Sequence, residues 1–348
     1  MKGIRQLANH LHISTGTVSR ALNGKADVNA ETRRKVLEAA EELGYVPNQA
    51  GRSLRQGTTR TIGLILDHDS STGSTSDNFF PRVIDGLQRV LTRHGLDLVL
   101  LLCPNDEDQD AFLRRMVARR LVDAMVISST RITDPRFSFL TKAKMPFVSL
   151  GRSESASAEN RWIDLDFEGI AKRAVERLYE RGHRRIAVAA PDNDVNLAKL
   201  FLKGYQAGLE KHGLPFDPAL VFRAAVKESG GYEVGNQLLQ IEDRPTAILL
   251  NAEMMSVGLY RRLGEEGLQP GANLAIIAER ESPVGSFLLP RLTCFGVDAL
   301  SVGQALGEML LSTLPAFASI YKDVPKTKIW PMTLIEGESD PELGSHDR

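Results

Sequence analysis

Apolar residues recur along this chain with two spacings, and the spacing changes near residue 60. Over residues 3–12, Ile4, Leu7, Ala8 and Leu11 stand at i, i+3, i+4 and i+7, which predicts a short helix with one inward stripe. Ser14 then offers a hydroxyl to cap a second helix whose inner face is Val18, Ala21 and Leu22, ended by Asn23 and Gly24. A third helix is expected over residues 30–43, with Val36, Leu37, Ala40 and Leu43 inward and Gly44 as its stop. Three short helices in 45 residues make a compact bundle.

Beyond residue 60 the pattern becomes short apolar runs separated by stretches of helical period. TIGLIL (61–66), LDLVLLL (96–102), DAMVIS (123–128) and MPFVSL (145–150) form one set. RIAVAA (185–190), TAILL (246–250), LAIIA (274–278) and RLTCFGV (291–297) form a second. Such alternation implies parallel strands with helical crossovers, so the expected class is α/β, with two doubly wound subdomains over residues 61–336. Between the two regimes, Pro47 blocks simple helical continuation, NQAGRSLR (48–55) is basic and weakly helical, and QGTTRT (56–61) reads as a linker, so residues 46–60 form a joint. Residues 337–348 read as a polar tail. The biased stretch DHDSSTGSTSD (67–77) follows a strand's carboxyl end, either as a plain polar loop or as the rim of a cleft.

With 348 residues the chain has room for about two or three domains. Its net charge of -1 hides an uneven distribution: residues 1–60 hold ten Lys and Arg against five acids, and the remainder is net negative. That split suggests a basic module that meets a polyanion, joined to a body that does not. Cys103 and Cys294 both stand in apolar surroundings, as small core residues of a reducing compartment do. The first residues lack the apolar stretch of a secretory leader and no run approaches a membrane span, so a cytoplasmic protein without a membrane partner is expected.

A helix that reads the major groove presents small polar and basic side chains on one face and apolar ones on the other. Ser14-Thr15-Gly16-Thr17-Val18-Ser19-Arg20 has this form. Arg20 suits a bidentate bond to guanine, and the hydroxyls of Ser14, Thr17 and Ser19 suit phosphate contacts. A small bundle for protein contact is the plainer reading of the same pattern.

Residues 4–66 closely resemble the start of the LacI/GalR family of bacterial transcription regulators, through the TVSRALNG core, the V-x-x-x-T-R-x-x-V-x-x-A-x-x-L-G-Y-x-P-N segment and the R-S-L hinge, in order and at family spacing. The resemblance continues to about residue 336, through DNFFPRVIDGL (77–87), ERGHRRIAVAA (180–190), NAEMMSVGLYRRLGEEGL (251–268) and LPRLTCFGVD (289–298). It implies a helix-turn-helix headpiece (1–45), a hinge helix, a core similar to periplasmic binding proteins, and pairing as a dimer or dimer of dimers on a pseudo-palindromic operator in double-stranded DNA; a homodimer is expected, because no leucine heptad follows Trp330. Thr15, Gly16 and Arg20 match the base-reading positions, with Asn23, Asn48 and Arg52 beside them as DNA contacts, and Leu54 matches the leucine that wedges into the minor groove. Gly16 departs from the pattern, having no side chain with which to read a base. A hinge of this length is too short to be helical alone, so it is expected to order on DNA.

The resemblance places a small effector, a sugar or sugar derivative, between the two subdomains. Phe79 and Phe80 match the aromatic pair of the first core helix, Glu253 an acidic position, and Arg152 the cleft edge. Phe201 stands where the family commonly has Arg, and Ala278-Glu279-Arg280-Glu281 replaces a Gly-aromatic-Asp-Asp/Asn segment. Arg280 with Arg152 nearby would favour a carboxylate or phosphate on the ligand; equally, Arg280 would pair with Glu279 or Glu281 as a solvated surface cluster.

The rival classes are an enzyme and a transport binding protein with a fused DNA-binding module. No Walker loop, dinucleotide fingerprint, H-E-x-x-H or G-x-S-x-G occurs, the seven histidines lack ligand spacing, and neither cofactor nor metal is expected. Asp164 and Asp166 form the one close acidic pair at a strand end and fit a surface or hinge placement better than acid–base work.

Overall fold

The computed structural model describes residues 3–22, 25, 27–45, 58–66, 78–104 and 106–344. The chain divides into two compact units, residues 1–59 and 60–348. Asn23 and the hinge residues Asn48, Arg52 and Leu54 lie outside the described residues.

In the first unit α1 (Ile4–His10), α2 (Thr15–Leu22) and α3 (Ala30–Glu42) close around Leu7, Ala8, Val18, Ala21, Val36 and Ala39, all buried. Two side chains start the later helices. Ser14 Oγ accepts from the Thr17 backbone N–H at 3.0 Å, and Asn29 Oδ1 accepts from the Glu31 N–H at 2.7 Å. Leu37, expected inward, is 50% exposed. It follows Val36 by about 100° round the helix, and Val36 and Ala40 already cover that side.

The second unit holds two parallel sheets. The larger has the order β11 (Thr327–Trp330), β5 (Trp162–Leu165), β4 (Phe147–Leu150), β3 (Ala124–Ile127), β1 (Thr61–Leu66), β2 (Asp97–Leu102). The smaller has β7 (Val221–Arg223), β6 (Ile186–Ala190), β8 (Ala247–Leu250), β9 (Ala275–Ala278). Seven of the eight apolar runs are strands of these sheets. The eighth is corrected: in RLTCFGV only β10 (Cys294–Gly296) is a strand, paired antiparallel with β12 (Thr333–Ile335) in a separate ribbon.

Helices cover the sheets in close pairs: α4 (Phe79–Arg93) with α11 (Ala299–Leu311), α7 (Phe167–Glu180) with α8 (Asn196–Lys211), and α9 (Glu228–Leu239) with α10 (Met254–Glu265). Glycines permit the approach. A Cβ on Gly86 would stand 2.0 Å from the Leu300 carbonyl oxygen, and one on Gly231 1.8 Å from that of Met255. One hydrophobic cluster, including Ile62, Val126, Val188, Leu249 and Ile277, runs through both sheets and ties the subdomains together.

The boundary at residue 336 is also corrected. Ser339 and Asp340 are fully buried: Ser339 Oγ donates to the Ile276 carbonyl at 2.6 Å, and the Asp340 carboxylate accepts from Arg177 Nε and Thr293 Oγ1, each at 2.5 Å. Residues 337–343 are therefore stitched into the smaller subdomain, up to the bond from the Leu343 N–H to the Arg181 carbonyl at 2.8 Å.

Candidate nucleic-acid interface and effector cleft

In α2, burial of Val18 and Ala21 leaves Thr15, Gly16 and Arg20 exposed, with Thr17 and Ser19 half-buried beside them. The face is short, polar and free of acids in its first turn. Ser14 Oγ is engaged by the Thr17 N–H and lies 2.9 Å from Thr17 Oγ1, so these two hydroxyls first serve the cap and each other. The Arg20 guanidinium is 3.6 Å from Asp27, both well exposed. Such a pair is weak in water, so a phosphate or guanine edge can replace the carboxylate at little cost. Among the described residues, a Cβ on Gly16 would meet only Ser14 Oγ, at 3.6 Å, so none of them demands glycine there.

In the body, the carboxyl ends of the two sheets come together at two places. At the first, Arg152 follows β4 and its carbonyl accepts from Thr130 Oγ1 at 2.9 Å and from Asn196 Nδ2, at the start of α8, at 2.8 Å. The Arg152 side chain lies 3.2 Å from Asp164 and 3.8 Å from Glu168. Asp164 is buried rather than on the surface. Burial pushes its carboxyl up to about 7, although the Arg152 charge and the backbone N–H groups of Arg152 and Leu165 pull the other way. Its neighbour Asp166 instead caps α7, accepting from the Gly169 N–H at 3.0 Å.

At the second place, Phe79 opens α4 after β1, and Arg280 and Glu253 follow β9 and β8 of the smaller sheet. The Arg280 guanidinium lies 4.6 Å from the Phe79 ring centre, 3.8 Å from Glu253 and 3.6 Å from Glu279. Both carboxylates are buried, each 3% exposed. Phe80 packs edge-on to Phe79 at 5.4 Å, half-buried against the core. A cavity of about 160 Å³ adjoins this cluster, lined by Asn78, Phe79, Arg82, Arg280, Glu281 and Ser282 among others. Burial, then the negative field of Glu281, Glu253 and Glu279, pushes the Cys294 thiol up to about 12.

The structure thus gathers three expected site residues, Phe79, Glu253 and Arg280, and separates out others. Phe201 is 2% exposed and sits in the hydrophobic core with Tyr205 and Leu209 of its own helix. An apolar ring in the position of an arginine was drawn inward by the same effect that buries its neighbours. The expected two-arginine clamp for an anion is not formed either, because each arginine faces two carboxylates. Arg280 does pair with Glu279, but within a buried cluster instead of a solvated one.

Two residues escaped the sequence reading. Neither amide atom of the buried Asn251 side chain, just past β8, has a hydrogen-bond partner among the described residues, and nor does Ser282 Oγ past β9. For Asn251, a polar residue directly after an apolar run was the available signal. A larger cavity of about 300 Å³, against Ala305, Met309, Tyr321 and Lys328, lies at the far end of α11 from the cleft. Among the described residues no group of His, Cys, Asp and Glu is set to hold a metal, and no helix is long and apolar enough to cross a membrane.

A small helical unit with a hydroxyl-and-arginine face, joined to a two-sheet α/β body, is the arrangement of a DNA-binding regulator. Known proteins carry the assignment further. Residues 4–48 match the bacterial regulatory proteins of the lacI family, and residues 175–339 match the periplasmic binding protein-like domain. The HTH-type transcriptional regulator AglR of Rhizobium meliloti is 33% identical over 338 residues, covering 95% of this chain and 92% of its own. Catabolite control protein A of Priestia megaterium is 28% identical, covering 88% and 91%. Among solved structures, the lac repressor dimer bound to operator and the anti-inducer ONPF superposes with a TM-score of 0.84 at 22% identity, covering 98% of this chain and 99% of that one. The complex of the transcriptional regulator CelR with cellobiose gives 0.72 at 24% identity, covering 97% and 100%. The chain belongs to the LacI family: it is a DNA-binding transcriptional regulator and not an enzyme.

Proposed function

We propose that this regulator is a cytoplasmic repressor that grips a pseudo-palindromic operator as a homodimer and is controlled by a small sugar or sugar derivative in the cleft. The observation that carries the effector reading is the set of unpartnered groups at the carboxyl ends of β8 and β9. A buried polar group without a partner costs about 1–3 kcal/mol, and hydroxyls of a bound polyol would satisfy Asn251 and Ser282 together. The buried acids beside them argue for a ligand without net negative charge. A relative in complex with cellobiose supports the same class.

For the DNA-binding half, the exposed Thr15, Gly16 and Arg20 face supports direct contact, with Ser14, Thr17, Ser19, Asn23, Asn48, Arg52 and Leu54 assisting across residues 1–60. The homodimer has a ready face. At the sheet edge, Val99, Leu100 and Leu102 of β2 and nearby Leu121 are all more than 40% exposed. An exposed apolar edge strand calls for a cover, and a second copy supplies one.

Control requires a coupling free energy, and a 100-fold change in operator affinity corresponds to about 2.7 kcal/mol. The test is titration of selected operator fragments at fixed salt, with and without neutral mono- and disaccharides, alongside calorimetry on the full chain. A neutral sugar that binds and lowers operator affinity is the expected result. Binding only by sugar acids or phosphates, or a sugar that raises operator affinity, refutes the reading.

A further inference from the structure

The second closure of the cleft has the composition of a cation site. Phe79 presents a ring face, Glu253 and Glu279 present two buried carboxylates, and the three come from both subdomains. An aromatic face with adjacent carboxylates is the environment that holds a guanidinium or ammonium group, through ring quadrupole and charge together. In this chain the group inside it is Arg280, from the turn after β9, with a side chain only 17% exposed. Among the described residues its contacts include two acids of its own subdomain and a ring of the other. The contact therefore spans the gap between sheets.

We propose that Phe79, Glu253 and Glu279 form a cation-binding cage, and that Arg280 is its built-in occupant, a tethered guanidinium that holds this end of the cleft shut. An incoming effector that uses the Phe79 face or either carboxylate must displace Arg280, so the residue sets which ligands enter. The inference rests on reading this cleft as the effector site, but the cage itself can be tested without any effector or operator.

The probe is ethylguanidinium, against its neutral isostere N-ethylurea, on the full-length chain. Arg280→Ala leaves two buried carboxylates beside a vacated ring. Ethylguanidinium is expected to raise the melting temperature of this variant saturably, by about 3 °C at a tenfold excess over its Kd, while N-ethylurea does not, and neither raises that of the wild type. In operator titrations the variant is expected to differ from wild type at least severalfold, and ethylguanidinium to move it back. If Arg280→Ala does not fold, the double variant Arg280→Ala with Glu279→Gln removes one buried charge and keeps the ring and Glu253. Ethylguanidinium is then expected to act there more weakly. Equal effects of the two probes, equal effects on variant and wild type, or no saturable effect in whichever variant folds overturns the cage. Rescue of melting with no sugar binding to any form would leave the cage standing and remove the effector reading instead.

Discussion

Replacing Asp164 by Asn separates burial from ion pairing in the strand that leads out of the larger sheet. Asp164 is 3% exposed and burial raises its carboxyl from 3.8 to about 7, despite Arg152 at 3.2 Å. The folded state therefore holds this proton more tightly than the unfolded chain does. Stability from this group is fully present below about pH 4 and is lost as pH rises through 7. At about 1.4 kcal/mol per pH unit, the wild type loses roughly 3 kcal/mol between pH 5 and pH 8 from this carboxyl alone. Asp164→Asn cannot titrate, keeps an oxygen to accept from the Arg152 and Leu165 N–H groups, and loses nothing over that range. The melting temperature of Asp164→Asn relative to wild type should thus climb by about 5 °C from pH 5 to pH 8, taking roughly 2 °C per kcal/mol for a body of this size. The assay is differential scanning calorimetry of both proteins at matched ionic strength. A gap that stays flat, or shrinks with rising pH, means that Arg152 keeps Asp164 ionised throughout and refutes the dominance of burial.

Other substitutions test other parts of the structure. Gly231→Ala places a Cβ 1.8 Å from the Met255 carbonyl oxygen, forces α9 and α10 apart, and is expected to cost several kcal/mol in chemical denaturation, beyond the ~1–3 of ordinary overpacking; a neutral result means the helices are not in backbone contact. Asp134→Ala removes the buried carboxylate that the 3% exposed Arg136 guanidinium meets at 2.7 Å, leaving it the Ser128 and Ser129 carbonyls, and should lose about 3–5 kcal/mol by the same measurement. Arg20→Ala should weaken specific operator binding by about 1–3 kcal/mol in a fixed-salt titration. Gly16→Ala has room in the headpiece and should not lower its melting temperature, so any loss of operator affinity there reports on contact with DNA. Burial depresses His183, whose ring meets Thr246 Oγ1 at 2.9 Å and the Pro341 carbonyl at 3.2 Å. A lowered folded value means stability present above about 6.5 and lost on acidification, so His183→Gln should flatten that acid-side loss in melts from pH 7 to 5; an unchanged slope would show that the ring is not the group involved.

Local pattern revealed the parts of this molecule whose forces are local. Ser14 caps the helix that the apolar stripe of Val18 and Ala21 defines, because both signals lie within eight residues. The strands of the sheet centres read as unbroken apolar runs because they are covered on both faces. Legibility fails at β5, β7, β11 and β12, which have only three or four residues each, β7 and β11 at sheet edges, β12 in the ribbon and β5 carrying Asp164 in its middle. It fails again wherever charge is buried by partners distant in sequence. Glu279, Arg280 and Glu281 look like a solvated triplet, since the ring under Arg280 belongs to a helix about 200 residues earlier. Ser339 and Asp340 look like tail until Arg177 and Thr293 are brought against them. The common element is a cost that no window of sequence contains: a buried charge is tolerable only when the fold delivers its counter-charge. Arg280 and Glu279 show the consequence at the cleft: their placement depends on a ring of the other subdomain, so altering either should disturb ligand response before it disturbs the headpiece.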